Sequence, residues 1–188
     1  IFEGFVRKSR NVIIVTKGNK TGFSFKKEEF AKPQNVFYIS GKTNLEILAL
    51  LEERTHEIIA TIKASEIKEN QKRIKKALIS DAKVQEKFGI SLKIGHGYKY
   101  DMVQDKFLWI RKEFSSGYNS ILVYDVPFEV LDKDENTIGN IIAMRDSIGK
   151  QFIHGVLPNT WMITEEAYAP YLFDITLAGK KTYETKGT

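Results

Sequence analysis

The side chains in this chain that could move a proton or bind a metal are three histidines and a few clustered carboxylates; it has no cysteine. Histidine is the group that titrates near neutrality. His56 falls in a helical stretch beside Glu53 and Glu57, His96 sits between two glycines, and His154 stands at a helix end. No H-x-x-x-H or H-E-x-x-H spacing links them. Exposed or capping roles therefore account for them better than metal ligation or catalysis. Asp132, Asp134 and Asn136 reproduce the opening of a calcium loop, but Thr137 stands where the turn glycine is required and Ala143 where a bidentate glutamate closes the site. That loop is expected to be solvated and to feed a helix. Glu28-Glu29 and Glu165-Glu166 are adjacent pairs, whose side chains diverge in any regular structure rather than forming a catalytic dyad.

The remaining motifs fare no better. No nucleophile elbow, phosphate-binding loop or dinucleotide fingerprint is present. Gly95-His-Gly97 is expected between strands, with no helix N-terminus to offer an anion. Thr21-Gly-Phe-Ser-Phe25 has the aromatic alternation of an RNA-stacking strand, but Lys26 and Glu28 occupy its later positions and no helix precedes it. Phe23 and Phe25 read more simply as core residues of a hairpin arm. The net charge of +5 comes from 29 basic residues interleaved with 24 acidic ones, which is ordinary surface charge rather than a nucleic-acid footprint. The expectation is a protein with no catalytic residues, no cofactor, no metal and no nucleic-acid partner. The lack of cysteine excludes disulfides and thiolate sites within this stretch.

The elements that would carry any site follow one pattern twice. A strand at 11–15, a glycine-bracketed turn, a strand at 23–25 and a strand at 36–39 lead into a helix from Thr43. A strand at 90–94, the turn at 95–97, strands at 107–110 and 121–124 lead into a helix from Thr137. Thr43 and Glu46 have the spacing of a capping box. Leu48, Leu51, Ile58, Ile59 and Ile62 recur at helical intervals, and the charged stretch 63–87 reads as a solvated helix ended by Phe88-Gly89. Ile138, Ile141, Ile142, Ile148 and Phe152 stripe the second helix, which His154-Gly155 closes. The run 173–177 and Tyr183 flank a turn at Ala178-Gly179, as in a hairpin. The fold class expected is α+β: two pseudo-repeated halves, 1–88 and 89–188, with an antiparallel sheet and helices packed on one face. At 188 residues and 42% apolar the chain can bury a core, and no apolar run approaches membrane-spanning length.

Two surfaces are candidates for partner contacts. Trp161, Tyr168 and Tyr171 fall in irregular, proline-flanked sequence, where aromatics serve as interface anchors. Lys72, Arg73, Lys75 and Lys76 make a basic helix face.

Several strings, in order, carry a family resemblance: Arg10-Asn-Val-Ile-Ile-Val15, Ala31-Lys-Pro-Gln34, Lys87-Phe-Gly-Ile-Ser-Leu92, Phe107-Leu-Trp-Ile-Arg111, Ser120-Ile-Leu-Val-Tyr124, Met144-Arg-Asp-Ser147 and Met162-Ile-Thr-Glu165. Over nearly its whole length the chain resembles domain-of-unknown-function family 4837, predicted lipoproteins of Gram-negative bacteria. The resemblance implies an outer-membrane-anchored envelope protein, periplasmic or surface-exposed, with a signal peptide and lipid-bearing cysteine upstream of Ile1 and further residues beyond Thr188. It assigns no catalytic residues. The function expected is a non-catalytic protein-binding or scaffold subunit of an outer-membrane complex, partnered by other envelope proteins. The alternative is a domain binding a peptide, glycan or lipid between its halves.

Overall fold

The computed structural model describes residues 4–131, 134–165 and 167–187. Its elements run β1 (Asn11–Lys17), β2 (Gly22–Lys27), β3 (Asn35–Gly41), α1 (Asn44–Lys75), α2 (Ala82–Phe88), β4 (Lys99–Val103), β5 (Phe107–Phe114), β6 (Gly117–Tyr124), α3 (Thr137–Phe152), β7 (Tyr171–Leu177) and β8 (Lys180–Lys186). The class is α+β, as the periodicities predict. The chain divides into two compact units, residues up to 100 with 110–120, and residues 101–109 with 121 onward.

In the first unit, one sheet has the order β1-β3-β2. β2 pairs antiparallel with β3, Phe25 opposite Phe37, whereas β1 pairs parallel to it, Asn11 opposite Asn35. The β1–β3 pair is thus a parallel exception within the expected antiparallel arrangement. The hairpin is β2–β3, and β3 is inserted between β1 and β2. The link from Lys17 to Gly22 must therefore cross two strand spacings, about 10 Å. Phe37, Ile39 and Ile58 form a buried cluster, ringed by Phe23, Phe25, Ile47, Leu50, Leu51 and Ile62. The Phe25 and Phe37 rings lie 4.9 Å apart. Burying a side chain of this size contributes about 1.5–3 kcal/mol. Register places Ile13 and Val15 on the same face as Phe37 and Ile39, the face that α1 covers.

Helix α1 starts as its capping box predicts: Thr43 Oγ1 accepts from Glu46 N at 3.2 Å. Glu46 reaches back one residue further than expected, to Lys42 N at 2.9 Å, and also accepts from the Thr21 hydroxyl. The charged stretch is not one helix. α1 ends at Lys75, and α2 follows after a break in which Ile79 N donates to Ile94 O and His96 N to Ala77 O. Gly89, at φ 63, caps α2 in the left-handed conformation, as its glycine predicts.

The strand expected at 90–94 does not form. Asp81 accepts from Ser91 Oγ at 2.7 Å and Leu92 N at 3.1 Å, which commits this segment to the α2 start instead of a ladder. A second sheet has the order β4-β5-β6. The two halves thus share an element order, three strands and a helix, but not a strand order.

In the second unit, Phe107 is fully buried and stacks on Phe152 at 4.1 Å and Tyr124 at 6.4 Å. α3 begins at Asn136, whose Oδ1 accepts from Gly139 N at 3.0 Å. It ends at Phe152, and Gly155 does not serve as its left-handed cap. Instead the backbone reverses so that Gly155 N donates to Thr160 O and Met162 N to Ile153 O. The returning strand presses on α3 at Gly149, where a Cβ would lie 2.1 Å from Met162 O. β7 and β8 form the predicted hairpin, with Ala178 and Gly179 both at positive φ, as a two-residue turn requires.

Candidate functional site

The most developed polar constellation lies where β1 and β3 begin. Asn11 and Asn35 are register partners there. Asn35 Nδ2 donates to Asn11 Oδ1 and to Ser65 Oγ, each at 2.8 Å. Asn11 Nδ2 donates to Glu66 Oε1 at 2.8 Å, and Arg10 Nε to the same oxygen at 2.9 Å, while Arg10 Nη2 pairs with Glu66 Oε2. One carboxylate on α1 thus gathers three donors from the start of β1. Gln34 next to it is buried with all four hydrogen-bond positions filled. Its Oε1 accepts from Phe30 N and Ala31 N, and its Nε2 donates to Arg7 O and Ser9 O. Buried amides this fully satisfied fix the local chain path.

A cleft of about 390 Å³ opens beside this network, lined among others by Lys27, Glu28, Pro33, Lys68 and Lys72. Lys72 pairs with Glu69, and Arg10 with Glu66, so Lys27 and Lys68 are its cations without an ion pair among the described residues. The cleft offers charge and shape but no nucleophile beside a base. Its lining sets the cations Arg10, Lys27, Lys68 and Lys72 among the carboxylates of Glu28, Glu66 and Glu69.

The other residues singled out by sequence are placed apart. His56 and His96 are exposed, and His154 Nε2 lies 3.1 Å from Lys150 O in the last turn of α3. Among the described residues no group of three or more acidic or histidine side chains could hold a metal. Asp132 of the loop before α3 lies outside the described residues. Asp134 accepts from Asn136 N and Asn140 Nδ2, a helix-start role. Glu28 pairs with Lys32, while Glu29 accepts from Lys26 and the Tyr38 hydroxyl, so the adjacent pair does diverge. Those two partners hold the Glu29 carboxyl below the ordinary range. Glu166 lies outside the described residues, and Glu165 accepts from Ala167 N.

Both expected contact surfaces are exposed, one in each unit. Lys72, Arg73, Lys75 and Lys76 are exposed on the last turn of α1, where cations suit the helix dipole. Trp161 is 38% exposed, with Lys150 Nζ 5.0 Å from its ring centroid. Tyr168 and Tyr171 are about 70% exposed. Tyr171 stands 6.4 Å from Phe173 and begins a row on one face of β7 that continues to an exposed Leu177. The 154–164 segment is firmly held: Thr164 is buried, donates to Asp146 Oδ1 at 2.7 and 2.8 Å, and accepts from Arg145. Sequence reasoning missed the Asn11–Asn35–Glu66 network. Its only trace is the polar pair Gln34-Asn35 set directly before an apolar strand.

Comparison with protein families gives two matches. Residues 77–188 match a domain of unknown function (DUF4837), and residues 1–75 match another (DUF8532). The division falls at the end of α1. No curated protein and no solved structure matches the chain.

Proposed function

The chain belongs to the DUF4837 family, and from that premise we propose that it is a non-catalytic envelope lipoprotein, anchored in the outer membrane, that serves as a protein-binding subunit of a complex there. The observation carrying the reading is the apolar surface of the second unit: Leu157, Trp161, Tyr168, Tyr171, Phe173 and Leu177 are all exposed large side chains, two of them on the backbone-bonded 155–162 turn and three on the β7 strand of a hairpin. Aromatic anchors on a rigid support are what protein interfaces use. The envelope location is supported by the family resemblance of the sequence. The absence of a motif that places a nucleophile beside a base supports the non-catalytic reading.

The test is affinity purification of the full-length lipidated protein from solubilised membranes, compared with the triple alanine variant at Trp161, Tyr168 and Tyr171. A stoichiometric outer-membrane partner, lost in the variant, is expected. A partner-free monomer, or a partner retained by the variant, overturns the proposal. The alternative, a domain that binds a peptide, glycan or lipid, is supported by the cleft beside Arg10, where Lys27 and Lys68 have no ion pair among the described residues. Binding of an anionic glycan that is abolished by Lys68→Glu would favour it.

A further inference from the structure

Among the described residues β1 is an edge strand, bonded to β3 on one side only. Two hydrogen bonds fix which of its groups face inward: Asn35 N donates to Arg10 O at 2.7 Å, and Gly18 N to Gly41 O at 2.9 Å. Parallel ladders alternate, so the even positions Val12, Ile14 and Thr16 point their backbone groups at β3. Asn11, Ile13, Val15 and Lys17 therefore present their N–H and C=O groups outward. Ile13 and Val15 are also 45% and 49% exposed. Native edges are commonly blunted by a bulge, a proline or an inward-pointing charge, and the 11–17 strand contains no proline and pairs in unbroken register.

The floor beside this edge is apolar as well. Glu66 marks the side of α1 that faces β1, because it bonds Arg10 and Asn11. At 100° per residue, Leu48 and Ile59 lie on that same side, about five and two turns earlier. They are 54% and 45% exposed. The far end of the edge carries three lysines around the Glu46 carboxylate, which Thr21 and Lys42 N already engage. Lys17 lies opposite Gly41 in register, next to Lys42, with Lys20 in the following loop, and none of the three has an ion pair among the described residues.

We infer that the outer edge of β1 accepts an extended strand from a partner protein, one that alternates apolar residues toward α1 and carries a carboxylate at the end meeting Lys17. Backbone groups of Asn11, Ile13, Val15 and Lys17 supply the hydrogen bonds, and the apolar strip of Ile13, Val15, Leu48 and Ile59 selects the side chains. A second copy of this chain fits poorly. Antiparallel pairing of two β1 strands about Ile14 would set each Lys17 against Asn11 of the other copy, where the Glu66 carboxylate is already taken by Arg10 and Asn11 and offers Lys17 no free acceptor. This inference rests on the protein-binding reading but concerns a different surface.

The probe is an acetylated heptapeptide of one glutamate followed by alternating valine and threonine, titrated into the full chain and followed by amide chemical shifts. Saturable shifts confined to residues 11–17 and to Leu48 and Ile59 are expected. Val15→Pro removes an outward N–H without touching the β3 ladder, since the Val15 amide faces solvent. It should keep the thermal midpoint and weaken binding by at least about tenfold. Methylating alternate amides of the peptide on one edge should abolish binding to the unaltered protein, and Lys17→Glu should weaken it. No binding, shifts elsewhere, or equal affinity for Val15→Pro overturns the inference. So does a dimer by light scattering that Val15→Pro dissociates, because a second copy then fills the edge. None of these readouts depends on the aromatic segment, so failure here and failure of the co-purification are distinguishable.

Discussion

Arg10 and Glu66, 56 positions apart, meet in a two-pronged ion pair that ties the entrance of β1 to the second half of α1. Asn11 adds a third bond to the same carboxylate. Both side chains are about one-third exposed, so solvent screens the attraction and the pair's value lies in its geometry. Glu66→Ala leaves Arg10 and the Asn11 amide without their shared acceptor, and should cost about 1–2 kcal/mol. A fall in the urea midpoint, with faster amide exchange in residues 11–17 than in β2, would match. Unchanged exchange in β1 would show that the pair holds nothing in place.

Phe37 is the stacking centre of the first unit, with Phe25 and Phe23 at 4.9 and 6.5 Å. Phe37→Ala should destabilise that unit by about 3–5 kcal/mol through lost burial and the cavity left behind. Denaturant unfolding checks this, and a loss below about 1 kcal/mol would mean that the core collapses around the gap.

Gly149 has no room for a methyl group, because a Cβ would meet the Met162 carbonyl oxygen at 2.1 Å. Gly149→Ala should therefore cost about 3 kcal/mol, despite alanine's better helix propensity. Gly18, which has nothing within 4 Å of its would-be Cβ, is the control, and Gly18→Ala should be neutral or slightly stabilising. Equal melting temperatures for the two variants would contradict the close approach.

Asp81 sets a pH dependence. Its carboxyl is held below the ordinary aspartate range by the Ser91 hydroxyl first, then the Gln85 amide, against a smaller opposing effect of burial and with help from the Leu92 N–H. A carboxyl whose folded value is depressed stabilises fully above its unfolded value and loses that contribution as pH falls through the folded one. Acidification below the ordinary aspartate range should loosen the 90–94 segment. Asp81→Asn should loosen it at neutral pH and flatten its response to acid. Amide exchange at Leu92, measured across that range in both proteins, decides it.

The exposed aromatics should be dispensable for folding. Alanine at Tyr168 and Tyr171 removes mostly solvent-facing surface and should change stability by no more than about 1 kcal/mol, with the partly buried Trp161 adding about 1–2 kcal/mol. A collapse of the second unit in this triple variant would assign these side chains to the core rather than to a contact surface.

How far the sequence could be read depended on how local each feature is. Strands β1 to β3, the Thr43 cap, the Gly89 cap and the β7–β8 turn were legible because alternation, capping spacing and turn chemistry act within a few residues. The insertion of β3 between β1 and β2 was not legible. It depends on which strands pair across the chain, and 11–17 alternates the same way beside either neighbour. The sequence Ile90-Ser-Leu-Lys-Ile94 has the alternation of a strand, but Asp81 ten residues earlier captures its backbone. The site network was hidden for a related reason. Asn11, Asn35, Ser65 and Glu66 look like unremarkable polar positions until the parallel register brings the first two abreast.

The inserted β3 also separates the order of the chain from the order of assembly. β2, β3 and α1 are contiguous, and they can build the Phe25–Phe37–Ile58 nucleus through a seven-residue connection and a short turn into the helix. β1 comes first in the chain, but its groove does not exist until β3 is in place. It must then fold back across two strand widths to close a parallel ladder, which is the slower kind of closure. On this topology the N-terminal strand is expected to be the last piece of its sheet to dock, with residues 18–21 as its tether.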